Sequence, residues 1–143
     1  MPSAIDTAQY ILEQSGPLTV MKVQKLVYYS QVWSVVWDDN VLFEDPIEAW
    51  KNGPVVRSLW EATRGNFRVA AIPGGVSANV NAAQRETINR VLAFYGEKDA
   101  QWLSDLTHLE APWQEAFAHG QNTEIGLDRI SEYYSSLHAN AEA

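Results

Sequence analysis

The spacing of apolar residues divides the chain into helices joined by short turns. Ile5, Ala8, Ile11 and Leu12 recur at intervals of one, three and four, the period of one helix face. Ser3 and Asp6 stand three apart ahead of that run, as in a capping box. Gly16-Pro17 is expected to stop this first helix. Thr19 is a suitable N-cap for a second, longer helix over about 20–37. Its Val23, Leu26, Val27, Val32, Trp33, Val35, Val36 and Trp37 cover more than one face. A helix of that kind belongs at the centre of a fold.

Asp38-Asp39-Asn40 reads as a turn. Residues 41–50 read as loop with short extended structure, because Pro46 argues against a central strand. Gly53-Pro54 predicts a tight joint, with Pro54 in the first turn of a third helix over 54–63. Val55, Val56, Leu59 and Trp60 would face inward from it. Around Pro73-Gly74-Gly75, residues 65–80 predict a small β hairpin or irregular flap. Asn81 and Gln84 form a second capping box, opening a helix that carries Ile88, Val91, Leu92 and Tyr95 and ends at Gly96. Asp99 caps the next, with Trp102, Leu103 and Leu106 apolar. Pro112-Trp113 starts a short helix, His119-Gly120-Gln121-Asn122 a turn, and a last helix over about 127–137 carries Ile130, Tyr133 and Tyr134. The fold class expected is mostly α: a compact single-domain helical bundle, residues 1–143, around the buried central helix.

Length and charge narrow the picture. A chain of 143 residues fits one domain able to bury its own core. It has no cysteine, which removes disulfides, thiolate metal sites and a thiol nucleophile. The start, Met1-Pro2-Ser3-Ala4-Ile5-Asp6, does not read as a signal peptide. No segment approaches the roughly 20 apolar residues of a membrane span, and a cytoplasmic location is expected. Net charge is −8, and residues 97–143 hold nine acidic and two basic residues, so the remainder is close to neutral. That sign disfavours nucleic acid as a partner of this chain alone. The acidic third either steers a basic partner or is a solvated surface.

Candidate chemistry is sparse. His108, His119 and His138 lack the spacing of a zinc site. Phosphate-binding glycine loops and a nucleophile elbow are missing, so neither a metal nor a cofactor is expected. His108 lies two residues before Glu110. An acid–base pair there is the remote enzymatic alternative; a capping or carbonyl-bonding His108 is the favoured reading. The aromatic load is heavier: six Trp and six Tyr. Lys25, Tyr29, Val32, Trp33 and Val36 share one stripe of the second helix. Such a stripe builds either a core or a cation–π face for a partner.

Three motifs stand in order. They are Lys22-x-x-Lys25-Leu26-x-Tyr28-Tyr29-x-x-x-Trp33, then Leu42-Phe43-x-Asp45-x-x-Glu48-Ala49-Trp50-x-x-Gly53-Pro54-Val55, then Leu106-Thr107-His108-x-x-x-Pro112-Trp113. Together they resemble the signature of the Panacea antitoxin domain, the family of SocA- and GepA-like phage-associated proteins. The resemblance runs from about Ile5 to Tyr134. One departure is Ile125-Gly126, where the family would offer a capping Ser or Thr before the last helix. The resemblance implies a helical antitoxin that neutralises a toxin encoded beside it by direct binding. Its alternative is a SocA-like adaptor that delivers the toxin to a cytoplasmic ATP-dependent protease. The candidate partner-binding residues are Lys25, Tyr28, Tyr29, Trp33, Trp50, Asn52, Gly53, Pro54 and Arg57, with the acidic C-terminal third beside them. His108, Pro112 and Trp113 are candidate structural motif residues.

Overall fold

The computed structural model describes residues 1–142. Its helices are α1 (Ala4–Ser15), α2 (Val20–Asp38), α3 (Arg57–Thr63), α4 (Ala82–Tyr95), α5 (Ala100–His108), α6 (Ala111–His119) and α7 (Leu127–Glu142). Short strands β1 (Leu18–Thr19), β2 (Ile47–Trp50), β3 (Gly53–Val56), β4 (Arg68–Val69) and β5 (Thr123–Glu124) complete a mostly helical single domain.

The expected caps are in place. Ser3 and Asp6 form a reciprocal capping box on α1, and Asn81 and Gln84 do so on α4. Thr19 Oγ1 accepts from the Lys22 amide at the start of α2, and Asp99 caps α5 through the Trp102 amide. Each satisfies backbone donors that the first helical turn leaves unpaired. At the far end of α2, Asp39 adopts the left-handed conformation, φ 49°. The Ser34 hydroxyl donates to the Asn40 carbonyl at 2.7 Å and closes the turn.

Helix α2 is central. Helices α1, α3, α4, α5 and α7 and strands β1 and β3 all pack on it. Every residue from 23 to 34 is buried in consequence, polar ones included. Gln24 and Gln31 lie seven apart, about two turns, and each braces backbone that is not its own. The Gln24 amide accepts from Val56 N–H at 2.9 Å and donates to Val56 C=O at 3.1 Å. Gln31 accepts from Leu42 N–H at 2.8 Å and donates to Phe43 C=O at 2.7 Å. A buried amide with donor and acceptor both engaged carries little desolvation penalty.

The segment after Gly53 corrects the sequence reading. Gly53–Val56 is a strand, antiparallel to β2, with Trp50 opposite Gly53 and Ala49 opposite Pro54. Helix α3 starts at Arg57, three residues later than expected. Proline is as compatible with a strand edge as with a first helical turn, and the Gln24 clamp on Val56 selects the extended form. Val55 and Val56 do face inward, but from a strand. Strand β5 pairs with the other side of β2, giving the order β3-β2-β5.

Residues 65–80 form an irregular flap with a single 3₁₀ turn, Ser77–Asn79. Strand β4 within it pairs with β1 rather than with a strand of its own. Side chains of α1 tie the flap down. Gln9 Oε1 accepts from the Ile72 amide, and the Asp6 carboxylate accepts from the Val76 amide and the Asn79 side chain.

Candidate functional site

The hairpin of β2 and β3 is the most heavily braced turn of the fold. Lys51 and Asn52 form its tip, and Gly53 completes the reversal with φ +121°. Three successive carbonyls around the tip each accept from a different side chain of α5 or α6. Trp113 Nε1 donates to Trp50 O at 2.8 Å, and Ser104 Oγ donates to Asn52 O at 2.7 Å. Between them, His108 Nε2 lies 2.8 Å from Lys51 O. The other ring nitrogen of His108 contacts Ser104 O, and the ring packs against Trp113 with centroids 4.0 Å apart. A turn held at three points has lost most of its conformational freedom before any partner arrives.

From the other side, the Lys25 ammonium reaches the Pro54 carbonyl at 3.3 Å. Gly53 leaves room for it: a Cβ there would come within 2.6 Å of Lys25 Cε and 2.8 Å of Thr107 Oγ1. Lys25 is 2% exposed, and among the described residues no carboxylate forms an ion pair with it. Burial alone pulls its amine down to about 8.

Further along α2 the motif tyrosines enter a buried polar network. Tyr29 and Tyr134 both donate to Glu110 Oε1, at 2.6 and 2.7 Å. The Tyr28 hydroxyl meets that of Tyr134 at 2.9 Å. Trp33 Nε1 donates to Tyr95 OH, and the Tyr95 ring stacks on Tyr29 with centroids 4.2 Å apart. Burial pushes the Glu110 carboxyl up from its usual range, while the two tyrosine hydroxyls oppose that shift. The same burial, with Glu110 nearby, drives Tyr29 upward; for Tyr134, burial and then Tyr28 and Glu110 do so. Glu110 is therefore tied to α2 and α7, and His108 to the hairpin, so the two do not act as a bonded pair. Among the described residues no group of three His, Cys, Asp or Glu is placed to hold a metal ion. No helix of those residues is long and apolar enough to cross a membrane.

Outside the clamp lies a mixed aromatic and charged surface. Trp50 and Trp60 are half-buried with ring centroids 5.4 Å apart. The Arg57 guanidinium lies 5.4 Å from the Trp50 ring centroid and donates twice to the Glu48 carboxylate, at 3.0 and 3.2 Å. Trp50 Nε1 donates to the same carboxylate at 2.9 Å. Arg64 covers Trp60 in turn. Trp, Tyr and Arg are the residues that dominate protein–protein hot spots.

All three sequence motifs thus converge on one hairpin. A family model for the SocA-like antitoxin, Panacea domain, matches residues 23–114, which include all of these motif residues except Lys22. The chain belongs to this family. Comparison with curated proteins and with solved structures gave no match. The family is described by its antitoxin role, and such a role implies a protein partner. Within this Panacea domain the candidate residues separate into two groups. Lys25, Tyr28, Tyr29, Trp33, Gly53 and Pro54 are buried; His108 and Trp113 brace the hairpin carbonyls, and Pro112 is buried in the first turn of α6. Trp50, Asn52 and Arg57 reach solvent. The stripe on α2 is buried at Lys25, Tyr29, Val32 and Trp33, where neighbouring elements pack on this helix, and half-buried at Val36. Ser104 is not among the residues the sequence names, and Trp60, expected to face inward from the third helix, is half-buried beside Trp50 and Arg64 instead. Trp60 sits three residues after Arg57, on the same turn of α3, and that spacing was the available signal.

Proposed function

We propose that this Panacea domain neutralises a toxin by direct protein–protein binding, with the hairpin tip and the start of α3 as its contact face. The observation that carries the reading is the three-point clamp on Trp50, Lys51 and Asn52. It fixes an exposed turn that performs no internal task requiring such rigidity. Asn52, Arg57, Trp50 and Trp60 supply the contacts, while Tyr28, Tyr29 and Trp33 hold α2 beneath them. This action belongs to the cytoplasm, which a cysteine-free chain suits.

The test is co-expression with the adjacent reading frame. That product should arrest growth alone and be harmless beside the wild-type domain. Arg57→Ala and Trp60→Ala, each still folded by circular dichroism, should lower neutralisation at least tenfold in a titrated-expression assay. A harmless neighbour, or full rescue by both variants together, refutes the reading. Toxin half-life separates direct binding from delivery to an ATP-dependent protease. Direct binding leaves it unchanged; a shorter half-life that depends on the protease favours the adaptor.

A further inference from the structure

Lys25 lines a cleft as well as a clamp. The cleft has a volume of about 280 Å³ and lies between the N-terminal end of α2 and the hairpin. Val20, Met21, Val55, Trp50 and Trp60 give it apolar walls, with Lys51 and Asn52 at the turn. Of the three donors on the Lys25 ammonium, the structure uses one, toward the Pro54 carbonyl. A desolvated ammonium without an anion is unfavourable for folding. The hairpin has little need of it, since Trp113, His108, Ser104 and Gln24 already hold the same strand and turn. A methionine would fill the space without the charge.

The surroundings favour an anion. Lys51 lines the cleft with Lys25, and Arg57 and Arg64 lie against its Trp50 and Trp60 rings; of the nearby carboxylates, Glu48 is already engaged by Arg57, and Glu61 acts on the same guanidinium. The apolar walls fit the aliphatic stem of a single carboxylate side chain. A nucleic acid would instead meet a chain of net charge −8.

We propose that the partner inserts one Asp or Glu side chain into this cleft and pairs it with Lys25, between Trp50 and Trp60. The inference rests on the direct-binding reading and names the chemistry of the partner at that face. The pairing completes in the complex what the free domain leaves open: an ammonium desolvated in advance and an anion that arrives with the toxin. Such a pair contributes more than a surface ion pair, because its positive half is already out of water.

The test uses the full-length domain and the purified product of the adjacent reading frame. Lys25→Met should fold as well as the parent and bind at least tenfold more weakly by calorimetry. Lys98→Met, on α4's distal loop, serves as control and should bind as the parent does. At pH 8.5, calorimetry in two buffers of different ionisation enthalpy should show net proton uptake by the wild-type domain, because burial lowers the Lys25 amine and the arriving carboxylate favours its charged form. Lys25→Met should abolish that uptake. Binding of a folded Lys25→Met within twofold of the parent overturns the inference, as does proton uptake by Lys25→Met equal to that of the parent. Absence of any binding by the wild-type domain fails the direct-binding reading itself, and the inference falls with it.

Discussion

Replacing Lys25 by methionine should stabilise the free domain, and the gain should depend on pH. The amine ionises at 10.5 in ordinary surroundings and at about 8 in the fold, with burial as the cause. At pH 7 both states of the protein carry the charge, and the folded state carries it at a penalty of about 3 kcal/mol, from 1.36 kcal/mol per pKa unit. Methionine removes that penalty but leaves the Pro54 carbonyl without its donor, a loss of about 1 kcal/mol. The net expectation is about 2 kcal/mol in favour of Lys25→Met at pH 7. Between the folded and unfolded values the unfolded chain binds more protons, so wild-type stability from this group rises with pH. By pH 10 the penalty has fallen to about 1 kcal/mol and the two proteins should be nearly equal. Buried Tyr28, Tyr29, Tyr95 and Tyr134 are all shifted upward and oppose folding above pH 10. Their effect is common to both proteins and cancels in the difference. Urea unfolding at pH 7, 8, 9 and 10 measures it, with a midpoint shift on the order of 1 M expected at pH 7. A variant less stable than the parent at pH 7, or a gain unchanged across the series, refutes the claim of an uncompensated buried charge.

Gly53→Ala should destabilise by at least ~2 kcal/mol, since φ +121° and the contacts with Lys25 and Thr107 both oppose a Cβ. Gly65→Ala, at φ +86° with nothing within 4 Å, should lose only about 1 kcal/mol in the same thermal melt. Gln31→Leu strands the Leu42 N–H and Phe43 C=O in the core and should cost about 3 kcal/mol in chemical denaturation. Glu110→Gln should flatten the acid side of the stability profile. A carboxyl raised by folding contributes stability below its unfolded value of 4.5 and loses it as pH rises through its folded value. Wild-type stability from this group therefore falls with rising pH in that window. Melting temperatures of the two proteins between pH 4 and 7 check it.

Local signals carried the helix boundaries well. Ser3, Thr19, Asn81 and Asp99 act within three residues of themselves, so their capping roles are legible in sequence. The centrality of α2 was legible too, because apolar residues on more than one face have few other destinations. Pro54 was not. Its ring fits a helix start and a strand edge alike, and the choice rests on Gln24, thirty residues earlier. In sequence Lys25 belongs to a stripe that builds either a core or a face for a partner, and Glu110 to a remote acid–base pair with His108. Their burial depends on Gly53, Tyr29 and Tyr134, which only the fold brings near. Three motifs in order pointed to the family; their meeting around one turn depends on the packing of α2, α5 and α6 about the hairpin.

Gln24 and Lys25 also settle how a partner can approach the sheet. The outward groups of β3 are Pro54 C=O and the N–H and C=O of Val56, and α2 side chains occupy all three. Pro54 has no N–H to offer. A helix thus stands in for the neighbouring strand, and this edge cannot template a foreign strand by β-augmentation. Strand β5 covers the other side of β2 and is itself only two residues long. A partner that docks at the hairpin, as proposed, is then recognised through side chains. Under that proposal partner range is set by a few exchangeable surface residues, while the main chain of this edge stays sealed against aggregation.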